Sequence, residues 1–256
     1  VNRGTPALLG AALRAGELLN SPPPLACLVG DTGQGHGSRR LYDHLVRDGW
    51  LLRREVLVFH YLQPDVDWHN RILFALEETA PRPTLIADAG FMYAAKMSGQ
   101  AEAYELFTPD AGELAFLADE EAPHPFYTRG FILHDENRVP DLVERAYAHK
   151  NAARRLLVKG RQDHVASEQG VHAVIDRPAN EAMEAMGGTG DSLTGVVSAL
   201  VASGMETLEA AVLAARVNRL AGALADPTPA SQVMEVIERI PEAMARLLEQ
   251  ERKAHG

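Results

Sequence analysis

Short apolar runs of strand length alternate with amphipathic runs of helix length along almost the whole chain. Residues 25–29, 55–60, 83–88, 104–108 and 155–159 read as strands. Helices are expected over 38–46, 68–78, 92–97, 111–118, 140–150, 191–202, 207–225 and 232–251. A hairpin is expected through 165–166 and 171–174, turned at Gln169-Gly170. Such alternation builds βαβ units, so it predicts an α/β fold with a mainly parallel central sheet and helices on both faces. Ligands of such sheets bind where strand-to-helix loops converge at the strands' carboxyl ends. The loops after Val29, Asp88, Thr108, Lys159 and Met186 are therefore the ones to read for chemistry.

The 256 residues suffice for a substantial core, and without repeats or low-complexity tracts they read as one domain, 1–256. Ser21-Pro22-Pro23-Pro24 is a stiff connector, and 120–125 is the best surface-loop candidate. A net charge of −10 lacks the basic face that a nucleic-acid partner needs, whereas a nucleotide requires only local donors. No apolar run reaches membrane-spanning length, and Val1-Asn2-Arg3-Gly4 lacks the layout of a signal peptide, so the expected location is cytoplasmic. The single cysteine, Cys27, falls in an apolar run and is expected in the core.

The most informative segment is Ala185-Met186-Gly187-Gly188-Thr189-Gly190-Asp191-Ser192-Leu193-Thr194-Gly195. Glycines directly before a helix let the backbone approach a ligand, and the helix start offers unpaired N–H groups and a positive dipole end. That combination suits phosphate oxygens. Asp191 on the first turn can accept a hydroxyl proton during attack on phosphorus, or it can simply cap the helix.

The segment resembles the GTGD signature of ribokinase-like enzymes, and most closely that of the ATP/ADP-dependent NAD(P)H-hydrate dehydratases. Phe107-Thr108-Pro109-Asp110-Ala111-Gly112-Glu113-Leu114 is similar to that family's Thr-Pro-His-Pro-Gly-Glu loop, and Val158-Lys159-Gly160 to its Lys-Gly strand end. Leu85-Ile86-Ala87-Asp88-Ala89 and Leu220-Ala221-Gly222 match in the same order. The resemblance implies a ribokinase-like three-layer fold, with Asp191 as the catalytic base and Gly188, Thr189 and Gly190 as the anion-binding turn. It further implies Lys159 and Gly160 against the nucleotide, ATP or ADP as phosphoryl donor, and homo-oligomers among the relatives. Magnesium would accompany the nucleotide, with Glu113 and Asp88 as candidate ligands; Glu113 can equally be a first-turn residue favoured by the dipole.

Two family histidines are absent. Asp110 stands in place of one, where it either meets substrate or caps the next helix, and Val217-Asn218-Arg219 replaces a Leu-His-Gly. The N-terminal loop, Gly30-Asp31-Thr32-Gly33-Gln34-Gly35-His36-Gly37-Ser38-Arg39-Arg40, has the context of an anion site but not the lysine of a P-loop. Gly30, Ser38 and Arg39 are candidate substrate contacts there, and a solvated flexible loop is the alternative. Asp65-Val66-Asp67-Trp68-His69 has metal-ligating residue types without completing partners, and Asp67 reads as a helix cap. No Gly-x-Ser-x-Gly elbow is present. Three functions follow as expectations: a dehydratase of hydrated NAD(P)H, a kinase for a small hydroxymethyl substrate, or a nucleotide-binding protein without turnover. The apolar stripe Val233, Val236, Ile237, Ile240, Met244 and Leu247 is expected to pack internally rather than against a partner.

Overall fold

The structure is a computed structural model and describes residues 1–122 and 138–255, with the side chains of the last two of these excepted. The second half of the expected 120–125 loop lies outside the described residues. Helices run α1 (Thr5–Leu19), α2 (His36–Asp48), α3 (Val66–Glu77), α4 (Phe91–Met97), α5 (Ala111–Ala118) and α6 (Val139–Ala148). They continue as α7 (Ala182–Ala185), α8 (Thr189–Ala202), α9 (Thr207–Ala225), α10 (Val233–Ile237) and α11 (Ile240–His255). The strands are β1 (Val56–Phe59), β2 (Thr84–Ala87), β3 (Leu106–Phe107), β4 (Arg155–Val158), β5 (Asp163–Ser167) and β6 (Gly170–Ile175).

One sheet holds all six strands in the order β1-β2-β3-β4-β5-β6. The first four pair in parallel, and β5 turns back antiparallel on β4, as a hairpin after Lys-Gly requires. The fold is thus α/β with a mostly parallel sheet. By internal contacts the chain forms two compact units. The sheet unit comprises residues 27–159 and 164–172; the helical unit comprises 1–26, 160–163 and 173–256.

The sheet unit's core is built on aromatic rings. Phe91 stacks on Phe59 at 4.2 Å and meets Tyr42 at 5.7 Å and His69 at 5.1 Å. Each such ring contributes about 1.5–3 kcal/mol on full burial. His69 is fully buried and neutral, since burial lowers its pKa to about 4, and Tyr104 Oη and Ser98 Oγ meet its two ring nitrogens. The Lys96 ammonium reaches the carbonyls of Phe116 and Asp119 at the end of α5, where the helix dipole favours a cation. In the helical unit, α1 packs along α8, and Gly195 allows it: a Cβ there would lie 2.2 Å from the Leu8 carbonyl oxygen.

Several expectations need correcting. Residues 25–29 form no strand; Leu25 and Leu28 are 58% and 63% exposed, and Cys27 is exposed rather than in the core. Three prolines directly upstream donate no N–H groups, which disfavours entry into a ladder at that point. Helix 232–251 is broken after Ile237: Pro241 has no N–H to give the Ile237 carbonyl, and it sits instead in the first turn of α11, where none is needed. The cap of α3 is Asp65, which accepts the Trp68 N–H at 3.2 Å, while Asp67 sits in the first turn and pairs with Arg71 at 2.8 Å. Helix α1 has no counterpart among the sequence expectations. The described part of the 232–247 stripe is buried within the helical unit.

Candidate active site

In the helical unit, Gly188 is the N-cap of α8 in a left-handed conformation, φ 100°. A Cβ there would come within 2.9 Å of Val233 Cγ1 and 3.0 Å of Arg3 Cα, so the turn admits only glycine. No side chain caps this helix, and the N–H groups of a helix start are the kind of donor an anion takes. Asp191 therefore does not cap α8. Its carboxylate, buried on the first turn, accepts the Gly4 N–H at 2.6 Å. Thr189 Oγ1 points back to the Met183 and Met186 carbonyls at 3.2 and 3.3 Å. Behind the turn, Asn218 Nδ2 donates to the Thr189 carbonyl at 3.2 Å, and Asn218 Oδ1 lies 2.7 Å from Ser192 Oγ. The residue in place of a family histidine thus braces the glycine turn.

Gly160, in the same unit, is held by a buried ion pair. Arg219 Nε meets Asp163 Oδ2 at 2.7 Å, Arg219 Nη2 donates to the Gly160 carbonyl at 2.9 Å, and Gly160 N donates to Asp163 at 3.2 Å.

The sheet unit gathers a second set at the carboxyl ends of its strands. Asp88, just past β2, and Lys159, just past β4, make a bidentate pair, with Nζ 2.9 Å from both carboxylate oxygens. His60, past β1, brings Nε2 to 3.7 Å from Asp88, and both side chains are 3% exposed. Burial alone would lower the pKa of the Lys159 ammonium, but the Asp88 and Glu113 carboxylates outweigh it, and the net direction is up. Glu113 is pushed up to about 7 by burial, with Asp88 and Asp110 adding and Lys159 opposing. Asp110 and Glu113 form a capping box on α5: Asp110 Oδ1 accepts the Glu113 N–H at 2.7 Å, and Glu113 Oε2 accepts the Asp110 N–H at 2.8 Å. Tyr93 Oη donates to Glu113 Oε1 at 3.2 Å.

The N-terminal glycine loop is filled from within. The Asp31 carboxylate accepts N–H groups of Gly33, Gly35 and Ser38 at 2.9–3.1 Å, together with the Ser38 hydroxyl at 3.1 Å. These donors, the Ser38 amide foremost, hold its pKa down. Gly30 lies with its carbonyl against Gly37, where a Cβ would sit 2.0 Å away, and Arg39 pairs with Asp65 at 2.9 Å. The donors expected to meet a substrate anion are thus turned onto the chain itself.

The carboxylates named as magnesium candidates are likewise committed. Asp88 is engaged by Lys159 and by the Ala89 N–H at 2.9 Å, and Glu113 by its cap and Tyr93. The sequence did not single out Gly4, Tyr93 or His60. Gly4 carries no local signal, since its partner is 187 positions away, and Tyr93 falls inside an expected core helix. His60 was legible as the residue ending an expected strand at a ligand-bearing edge.

Comparisons with known proteins agree with this layout. Residues 62–242 match the carbohydrate-kinase family described as NAD(P)H-hydrate dehydratase. An uncharacterized protein of Methanocaldococcus jannaschii is 39% identical over 94% of this chain and all of its own length. The bifunctional NAD(P)H-hydrate repair enzyme Nnr of Pyrobaculum aerophilum is 31% identical over 65% of this chain, a match spanning 30% of that longer enzyme. Among solved structures, a ribokinase-like superfamily protein of Enterococcus faecalis superimposes with a TM-score of 0.58 at 18% identity, covering 94% of this chain and 82% of the other. The pyridoxal kinase of Staphylococcus aureus, in complex with pyridoxal, gives 0.56 at 12% identity over 81% and 79%. These structures show the fold. Among the described residues, no helix is long and apolar enough to cross a membrane.

Proposed function

The chain belongs to the carbohydrate-kinase-like NAD(P)H-hydrate dehydratase family, and we propose that it moves a phosphoryl group from ATP or ADP to the ring hydroxyl of hydrated NAD(P)H. The observation that carries this reading is Asp191: a buried carboxylate on the first turn of an uncapped helix behind a glycine-only turn. The N–H groups at Gly188, Thr189 and Gly190 take the transferred phosphoryl oxygens, and the helix dipole adds to their attraction. Asp191 accepts the hydroxyl proton as the substrate oxygen bonds to phosphorus and the bond to the departing nucleotide breaks. The Gly4 N–H holds one oxygen of that carboxylate, Oδ2, in place. Loss of the phosphate from the ring carbon, with a proton from its neighbour, then restores the double bond of NAD(P)H. Magnesium enters no step assigned to a side chain here.

One observation favours a second reading. Asp110 stands where the family loop has a histidine, and its carboxylate is spent on capping α5. A kinase acting on another small hydroxyl substrate needs only the Asp191 step and fits that loss. The test is recovery of NADH absorbance by purified protein given hydrated NADH, magnesium and ATP or ADP. Recovery that requires nucleotide supports the dehydratase. Nucleotide binding without recovery rejects that substrate and leaves the kinase reading to be tried with hydroxymethyl compounds.

A further inference from the structure

Tyr61 lies two residues past β1, at the edge of the sheet where His60, Asp88 and Lys159 gather. Among the described residues it is one of four non-glycine residues with positive φ, 51°, and it is 52% exposed. A tyrosine gains nothing from that backbone state by itself, so surrounding contacts must impose it. They are on both sides. Upstream, the His60 ring lies 4.3 Å from the Tyr61 ring and is itself buried near Asp88. Downstream, Leu62 is buried with its carbonyl pressed on Gly90, where a Cβ would sit 1.8 Å from that oxygen. Gln63 is pinned twice: its N–H donates to Ser38 Oγ at 3.0 Å, and its carbonyl accepts from Tyr42 Oη at 2.5 Å. The chain is anchored before and after Tyr61, and the strained turn holds this half-exposed tyrosine at the carboxyl edge of the sheet, where ligands of such sheets bind.

We infer that Tyr61 is a stacking platform for a planar nitrogen-containing ring of the bound ligand. The inference rests on the reading above only in taking that ligand to be an adenine nucleotide or a dinucleotide, and adenine is the ring common to both. A tyrosine face stacks on a base with little loss of side-chain freedom, and here the rotation of the backbone is already set by the fold.

The test is equilibrium binding of ADP and of NADH, measured separately on the wild-type chain and on Tyr61→Ala, Tyr61→Phe and Tyr61→Gly, with melting temperatures alongside. Tyr61→Ala is expected to weaken one ligand or both about tenfold, the size of one base–aromatic stack, and Tyr61→Phe to bind as wild type does. A loss confined to ADP places the phosphoryl donor's base on the ring; a loss confined to NADH places the dinucleotide's there. Tyr61→Gly is expected to bind as weakly as the alanine variant yet melt higher, because glycine adopts the left-handed state without strain. Unchanged affinity for both ligands in Tyr61→Ala, failure of wild type to bind either, or a lower melting temperature in Tyr61→Gly overturns the inference. The two readings fail separately: an inactive protein that still loses adenine affinity in Tyr61→Ala keeps the stack and loses the dehydratase, and the converse result does the reverse.

Discussion

The chain carries two glycine-rich turns that lead into helices, one at Gly30–Ser38 and one at Gly187–Asp191, and they look alike on paper. In the first, the acidic residue precedes the donors, so Asp31 folds back and takes the N–H groups of Gly33, Gly35 and Ser38. In the second, the acidic residue follows the glycines and lies on the first turn of the helix itself, which has no side-chain cap. Asp191 is instead met by a distant N–H, that of Gly4, and the helix keeps its own donors. The first turn has thus spent its donors on its own carboxylate, whereas no side chain caps the second.

The largest effect expected from breaking this contrast is at Asp191. Asp191→Asn keeps the shape but cannot take the proton, and turnover should fall by about 10²–10⁴-fold while nucleotide affinity changes little. Steady-state rates and a binding titration on the same sample check both parts. Next come the glycines. Gly188→Val combines a positive φ with overlap on Val233 and Arg3 and should cost about 3 kcal/mol by denaturant unfolding. Gly33→Ala, at φ 86° with open space around it, should cost only about 1 kcal/mol. Similar losses at the two positions would say that the turns are equally constrained.

Removing the internal anion sharpens the comparison further. Asp31→Ala should lower the melting temperature and let added sulfate or phosphate restore it, an effect absent from wild type. Asp31 has a depressed pKa, so its contribution is present above the ordinary value of 3.8 and is lost as pH falls through the lower folded value. The wild-type acid limb should therefore be steeper than that of Asp31→Asn.

Glu113 is the opposite case, a carboxylate held protonated by burial. Its pKa rises from 4.5 to about 7, so the native state keeps a proton that the unfolded chain releases. Stability should fall as pH rises across that window, by on the order of 1 kcal/mol, and Glu113→Gln should flatten the curve.

Where local chemistry decides the structure, the sequence was readable. Helix α5 begins and ends where its Asp-x-x-Glu cap and apolar face say, and α9 likewise spans the expected residues. The GTGD turn was legible because its glycines and its aspartate act within one helical turn. What was not legible depends on partners far along the chain. The Gly4 contact, the Asp88–Lys159 pair and the choice between strand and surface for 25–29 are settled by tertiary packing. Asp31 lies between these extremes: its residues were all in view, but only the backbone path shows that its carboxylate turns inward.

The central claim is that the second glycine turn, not the first, handles the phosphoryl group. The most direct measurement follows ATP or ADP consumption with hydrated NADH for wild type, Asp191→Asn and Asp31→Asn side by side. The account predicts loss of turnover in Asp191→Asn and retention in Asp31→Asn once the sample is kept below its melting temperature. Full turnover in Asp191→Asn, or loss confined to Asp31→Asn, would contradict it.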